Sequence, residues 1–257
     1  MHALITGASS GIGEGIARAF AAAGYDITLV ARRAAELERV AASLGNAIRV
    51  TRIPYDLADL EGIPDLIAKA ETALGPIDVL VNNAGIQACV HTMETPPAEQ
   101  ERMITLNVFA PLRLTHAAFP AMRARGQGTI VDIASVAAFN HATYMTYYSA
   151  SKAALAAASV SLRAELKEYG IHVLTVYPGP VHTPMGVNGV AAYDTDPTKG
   201  LMRLPWGTTD ALANLVLNAV RGRQDEIVYP GFYWSGRWFR GISQRIMDKM
   251  TPKARRT

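Results

Sequence analysis

Over the first two-thirds of the chain, short apolar runs alternate with longer stretches of helical periodicity. The runs Ala3–Thr6, Asp26–Ala31, Ile48–Tyr55, Val79–Asn82, Thr129–Ile133 and His172–Tyr177 are rich in Val, Ile and Leu, and their shortness predicts strands. Between them, residues 11–23, 34–44, 60–74, 99–124 and 149–169 are amphipathic or alanine-rich and long enough to be helices. Strands that are apolar along their whole length must be covered on both faces. The alternation therefore predicts an α/β, doubly wound (Rossmann) parallel sheet with helices on both faces. Beyond residue 180 the pattern changes to a Pro/Gly-punctuated loop, a helix near 208–221, a strand Glu226–Tyr229 and a basic tail. No Ser/Gly-rich linker or low-complexity tract divides the 257 residues, so 1–257 is expected to form a single domain.

Composition narrows the class. With 49% hydrophobic and 18% charged residues the chain can bury one large core. A single cysteine, Cys89, excludes an internal disulfide framework and a cysteine-cluster metal site, and no metal is expected. The start of the chain lacks the features of a signal peptide and no apolar run is long enough to span a membrane, so the expected location is cytoplasmic. Residues 221–257 carry nine Lys/Arg against three acids, whereas residues 1–220 carry sixteen against nineteen. The basic excess lies in the tail, which argues against nucleic acid as a partner of the body.

Thr6-Gly7-Ala8-Ser9-Ser10-Gly11-Ile12-Gly13 directly follows the first strand and opens the first helix. Glycines in such a turn let backbone N–H groups approach a pyrophosphate, and the helix N-terminus adds donors and a positive dipole. An ordinary strand-to-helix turn is the plain alternative; strand before and helix after favour a dinucleotide site. At the end of the second strand an acid would bind the ribose 2′-hydroxyl of NAD, whereas arginine accommodates the 2′-phosphate of NADP. The sequence has Ala31-Arg32-Arg33 and no acid before Glu36, so NADP(H) is favoured over NAD(H).

Tyr148 and Lys152 stand four residues apart at the start of a helical stretch, on one face. Phenolate–ammonium attraction at ~5 Å and an effective dielectric of about 20 is worth about 3 kcal/mol. That would bring a tyrosine from about 10 down to about 8, in the range of a general acid/base. Ser135 ends the buried strand Ile130–Ser135, where active-site residues of open parallel sheets gather. Tyr144 and Tyr147 lack a Lys at +4 and a Ser at −13, and read as pocket or core aromatics.

The ordered set Thr6-Gly7-x-x-x-Gly11-x-Gly13, Asn82-Asn83-Ala84-Gly85, Ser135 thirteen residues before Tyr148, Tyr148-x-x-x-Lys152 and Pro178-Gly179 resembles the short-chain dehydrogenase/reductase family, in its single-domain branch. The resemblance implies hydride transfer between nicotinamide and a carbonyl or alcohol. It implies that Tyr148 moves the proton, Lys152 lowers the tyrosine's pKa and holds the nicotinamide ribose, and Ser135 hydrogen-bonds the substrate oxygen. Gly7, Ser9, Ser10, Gly11, Ile12 and Gly13 would hold the pyrophosphate, and Asp56 and Leu57 would contact adenine. Asn82 and Ala84 would pack beside the adenosine ribose, and Pro178, Gly179, Val181 and Thr183 would flank the nicotinamide. Asn107 matches the family's fourth catalytic position. Pro111, four residues on, removes the helical donor of the Asn107 carbonyl, which could then hold a water in a proton relay. Asp132 stands where the family commonly has Asn; a carboxylate in a central strand needs a partner, and a structural role is the simpler reading. On this resemblance 1–179 is the cofactor-binding and catalytic core, and a homodimer or homotetramer is expected.

Segments 86–98, 136–146 and 180–205 are expected to select the substrate. They carry Cys89, His91, Phe139, Tyr144, Met145, His182, Met185, Tyr193, Met202 and Leu204, a mainly apolar set that predicts an apolar carbonyl or alcohol. In the tail, Trp238, Ile242, Ile246 and Met250 recur every four residues beside Arg237, Arg240, Arg245 and Lys249. Such a basic amphipathic helix could contact a membrane peripherally; packing on the body or on a second subunit is favoured. Turnover-free NADP(H) sensing and scaffolding through the tail are the rival function classes.

Overall fold

Every strand expected from the apolar runs is present in the computed structural model, which describes residues 1–193, 205–238, 241, 244 and 245, less the side chains of 190, 237 and 238. These are β1 (His2–Thr6), β2 (Asp26–Ala31), β3 (Val50–Pro54), β4 (Val79–Asn82), β5 (Gly128–Ile133), β6 (Ile171–Pro178) and β7 (Glu226–Tyr229). They form one all-parallel sheet in the order β3-β2-β1-β4-β5-β6-β7. Leu4 lies opposite Thr28 on one side and Leu80 on the other.

The uninterrupted apolarity of the strands follows from two cores. Ile5, Leu29, Val81 and Val131 point to one face, against Ile16 and Phe20 of α1 (Gly11–Ala22), α2 (Ala34–Ser43), and Leu212 and Val216 of α8 (Thr209–Gly222). Their neighbours Leu4, Val30, Leu80 and Ile130 point to the other, against Ile63 and Leu66 of α3 (Ile63–Leu74) and Leu114 of α5 (Ala110–Arg125). Alternate residues of a strand feed opposite layers, so both sets must be apolar. The protein is thus a single-domain Rossmann-like fold.

The helix expected over 99–124 is divided. An α-helix, α4 (Pro97–Ile104), passes into a π-turn over Thr105–Phe109 before α5 begins. The Ala110 N–H bonds to the Thr105 carbonyl, five residues back. Pro111 brings no N–H, and widening the ladder by one residue is how a helix continues past such a gap. α6 (Thr146–Leu166) starts three residues earlier than expected, placing Tyr148 in its first turn. α3 starts at Ile63 rather than 60, with Pro64 suited to its first turn. The stretch after β6, read as loop, contains α7 (Pro184–Ala191), and a short helix α9 (Trp234–Trp238) follows β7. Met202, Leu204 and most of the expected amphipathic tail helix lie outside the described residues. Among the described residues no helix is long and apolar enough to cross a membrane.

From β1 the chain winds outward to β2 and β3, and from β4 it winds the other way to β7. Beyond the carboxyl ends of β1 and β4 this leaves a crevice, the place where doubly wound sheets bind ligands.

Candidate active site

The crevice is a cavity of about 430 Å³ that runs from the glycine-rich turn after β1 to the start of α6. At its first end the turn is tied to the neighbouring strand. Thr6 Oγ1 donates to the Val81 carbonyl at 3.0 Å and accepts the N–H groups of Asn83 and Ala84 at 2.9 and 3.0 Å. Asn83 Nδ2 returns to the Thr6 carbonyl at 2.8 Å. The packing this enforces requires Gly13: a Cβ there would stand 2.4 Å from the Gly7 carbonyl oxygen and 2.5 Å from Asn83 Nδ2. Gly7 itself adopts φ 65°, a left-handed conformation natural to glycine.

Ser10 occupies the N-cap position of α1 but its side chain does not cap the helix. Arg33 donates instead to Ser9 Oγ at 2.9 Å and to Ser10 Oγ at 3.0 Å. The first-turn amides of α1 therefore face the cavity without a side-chain cap, a donor set suited to a pyrophosphate. Arg32 and Arg33 line this end together with Asp56 and Leu57. Asp56 is ion-paired with Arg102 at 2.8 Å. Guanidinium and hydroxyl donors meeting at the end of β2 fit a phosphorylated ribose as well as a dinucleotide backbone.

At the far end stand Ser135, Tyr148 and Lys152, all buried and all lining the cavity. Ser135, just past β5, accepts the Ala137 N–H at 3.1 Å and donates to the Pro178 carbonyl at 3.3 Å. Lys152 reaches from α6 to the Ile133 carbonyl at 2.7 Å, with Nζ 6.0 Å from the centre of the Tyr148 ring. The expected lowering of the tyrosine by the lysine is not what this arrangement produces. Burial pushes the Tyr148 phenol up, against a smaller pull from the Ser135 hydroxyl. Burial also drives Lys152 down to about 8, opposed by the charge of Asp132. In the protein alone desolvation outweighs attraction, because both groups have left water.

Asp132 has the partner the sequence could not name. Its Oδ1 accepts Asn82 Nδ2 at 2.8 Å, across the directly paired positions of β4 and β5. Burial nonetheless raises its carboxyl above the usual range. This bond redirects Asn82. Its side chain is turned into the protein toward Asp132 and Thr115, not toward the cavity as the ribose assignment required.

Asn107 also lies behind the wall. Its Oδ1 accepts the Ile86 N–H at 2.9 Å, and its Nδ2 donates to the Ile86 carbonyl at 2.9 Å and to Ser151 Oγ at 3.0 Å. Ser151 in turn donates to the Tyr148 carbonyl at 2.8 Å. The side-chain amide brackets the loop after β4 to the first turn of α6, a use the argument from its freed carbonyl did not anticipate. A Cβ at Gly85 would stand 3.0 Å from Asn107 Oδ1 and 3.6 Å from Lys152 Nζ, so the two groups meet at that glycine.

Of the sequence-derived residues, Gly7, Ser9, Ser10, Gly11, Ile12, Arg32, Arg33, Asp56, Leu57, Ala84, Ser135, Tyr148, Lys152, Pro178, Gly179, Val181 and Thr183 line the cavity, whereas Gly13, Asn82 and Asn107 support it from behind. Met145, Met185 and Tyr193 of the expected substrate set line it too. Tyr144 and Tyr147 line a smaller cavity of about 250 Å³ on the other side of Tyr148. Phe139 packs in the core against Tyr177, and His182 stacks on Trp206. Asn140, from the expected substrate segment 136–146, lines the main cavity, as do Trp206 and Tyr233, which belong to no motif and are brought there only by the chain's return.

Comparison with known proteins identifies the family. The family model described as short chain dehydrogenase matches residues 1–193. A dehydrogenase/reductase SDR family protein 7-like of Drosophila melanogaster is 34% identical over 237 residues, covering 88% of this chain and 71% of that protein. A fatty acyl-CoA reductase of Acinetobacter baylyi is 36% identical over 228 residues, covering 88% and 74%. The crystal structure of a short-chain type dehydrogenase/reductase from Mycobacterium marinum superposes with a TM-score of 0.81 at 29% identity, over 90% of this chain and 94% of that one. Similar solved structures include complexes with NADH, NADPH and NAD. The chain belongs to the short-chain dehydrogenase/reductase family of nicotinamide-dependent oxidoreductases.

Proposed function

We propose that the protein is an NADP(H)-dependent reductase or dehydrogenase acting on an apolar carbonyl or alcohol. The observation that carries this reading is the layout of one cavity: Arg32, Arg33 and the Ser9 and Ser10 hydroxyls at one end, and Ser135, Tyr148 and Lys152 at the other. When bound, the nicotinamide supplies or accepts the hydride. The chain does the rest. Ser135 orients the substrate oxygen, and the Tyr148 hydroxyl gives or takes the proton at that oxygen. The buried Lys152 favours the charged form of Tyr148 at the moment the proton leaves. Asn107 and Ser151, bonded to each other behind the tyrosine, hold the start of α6 in place.

Arg33 supports the choice of cofactor, since it already converges on two hydroxyls at the end of β2, where a 2′-phosphate would lie. An apolar substrate is supported by Met145, Met185, Trp206 and Tyr233 in the wall, and by relatives named fatty acyl-CoA reductase and ketoacyl reductase. We read the assembly as a homodimer or homotetramer, with Phe109 and Val160 as exposed apolar side chains for such a contact. Oxidation of NADPH followed at 340 nm across aldehydes, ketones and acyl thioesters tests the reading. Turnover with NADPH and an apolar carbonyl is the expected result; no turnover with any of them, or turnover with NADH alone, would overturn it.

A further inference from the structure

The segment that follows β7 returns to the cavity. Tyr233 is only 7% exposed, whereas its neighbours Phe232 and Trp234 are 59% and 42% exposed, so of the three it alone is turned inward. Its ring lies on Gly179, directly after β6: a Cβ at that glycine would stand 2.8 Å from Tyr233 Cδ2 and Cε2. Its hydroxyl donates to the Pro205 carbonyl at 3.2 Å, four residues before α8 begins. A Cβ at Gly236 would stand 2.5 Å from Asn140 Nδ2, so this turn of α9 sits on the loop between Ser135 and Tyr148. Farther on, Gln244 grips the same loop twice. Its Oε1 accepts the His141 N–H at 3.0 Å and its Nε2 donates to the His141 carbonyl at 2.9 Å. A paired amide contact of this kind imitates a backbone pairing and fixes position rather than charge.

We propose that Tyr233 is a specificity-determining residue that limits the size of the substrate, held in place by the Gly236–Asn140 and Gln244–His141 contacts between the C-terminal segment and the loop before Tyr148. The inference rests on the reading of this cavity as a carbonyl-reducing site. Its physical basis is position. Tyr233 shares the cavity wall with Ser135 and Tyr148 and covers Gly179, the residue after the Pro178 carbonyl that Ser135 bonds, so the ring takes up volume at the Ser135 end of the cavity. A side chain in that place discriminates by excluded volume and leaves the proton path unchanged.

The test compares propanal with a bulky bicyclic aldehyde in wild type, Tyr233→Ala, Tyr233→Trp and Tyr233→Phe. Tyr233→Ala should raise the bulky-to-small kcat/KM ratio about tenfold, mainly through KM. Tyr233→Trp should lower it, and Tyr233→Phe, which keeps the ring, should leave it within about twofold. Gln244→Ala should move the ratio as Tyr233→Ala does, by a smaller factor. The same ranking is read without turnover by displacement of the fluorescent apolar probe anilinonaphthalene sulfonate with small and bulky alcohols. A ratio unchanged in both Tyr233→Ala and Tyr233→Trp, by kinetics or by displacement, would overturn the proposal. Tyr233-dependent displacement in a protein that reduces nothing would support it and overturn the oxidoreductase reading instead.

Discussion

Lys152 Nζ donates to the Ile133 carbonyl oxygen at 2.7 Å, which joins the first turns of α6 to the end of β5. Asp132, the residue before that carbonyl, is a buried acid whose charge opposes the fall in the lysine's pKa. The lysine at the site is therefore set by two neighbours on one strand: a carbonyl that positions it and an acid whose charge partly offsets the effect of burial. Asn82, Ser159, Arg163 and Thr175 extend the polar cluster beneath it, with Arg163 Nη2 donating to Thr175 Oγ1 at 2.7 Å and Ser159 bonded to Thr175 at 2.7 Å.

Replacing Tyr148 with Phe should lower kcat by about a hundredfold or more, the scale of a lost general acid. The phenyl ring keeps its packing with Met103 and Ala137, so the fold and the dissociation constant for NADPH should stay close to wild type. Stopped-flow reduction and fluorescence titration of NADPH measure the two effects separately. Wild-type turnover in Tyr148→Phe would remove the tyrosine from the mechanism.

Arg33→Ala, alone or with Arg32→Ala, should weaken NADPH binding far more than NADH binding. A charge-assisted hydrogen bond contributes about 1.5–3 kcal/mol, or roughly ten- to a hundredfold in affinity. Calorimetric titration with both cofactors reads the difference directly. Equal losses would mean that neither arginine reads the phosphate and that Arg33 serves only to hold the Ser9 and Ser10 hydroxyls.

The buried lysine makes a prediction about stability and pH. Its folded pKa of about 8 lies below its ordinary value of 10.5, so between these limits the unfolded chain holds a proton that the native state has released. Stability then rises with pH through that window, by up to about 1.4 kcal/mol for each pH unit, and the contribution is lost as pH falls toward 8. Denaturant unfolding of wild type and Lys152→Met, compared from pH 8 to 9.5, should show the rise in wild type and its absence in the variant. Parallel curves would place the ammonium in a more hydrated setting than its burial implies.

Gly13→Ala should disturb cofactor binding although Gly13 does not line the cavity. The added methyl would overlap the Gly7 carbonyl and Asn83 Nδ2, and overpacking of this kind costs about 1–3 kcal/mol. Thermal unfolding should show the loss of stability, and NADPH titration a weakened site, as the turn moves away from β4. A variant with wild-type stability would mean that the turn yields without strain.

Much of this arrangement was legible before folding, for local reasons. A strand buried on both faces must be apolar throughout, so six strands and the parallel sheet could be read from Ala3–Thr6 and its successors. Tyr148 and Lys152 were legible because four residues bring side chains onto one helical face. Pro111 marked the place where the helix around Asn107 could not be regular, and a π-turn occupies it. What Asn107 does there was not legible, because its partners Ile86 and Ser151 lie twenty-one and forty-four positions away.

By itself the sequence determined the layers and the glycine turn through periodicity and short spacing, and its ordered motifs carried the family resemblance that singles out Ser135, Tyr148 and Lys152. The tertiary structure alone decided the orientation of Asn82, which turns to Asp132 because paired positions of β4 and β5 bring amide and carboxylate within 2.8 Å. It alone decided the balance of charge at Tyr148 and Lys152, since desolvation depends on everything packed around a group and not on its neighbours in the chain. It also brought Tyr233 back onto Gly179 and Gln244 back to the loop between Ser135 and Tyr148, contacts that span about a hundred residues in the case of Gln244 and His141 and leave no periodic trace in either segment.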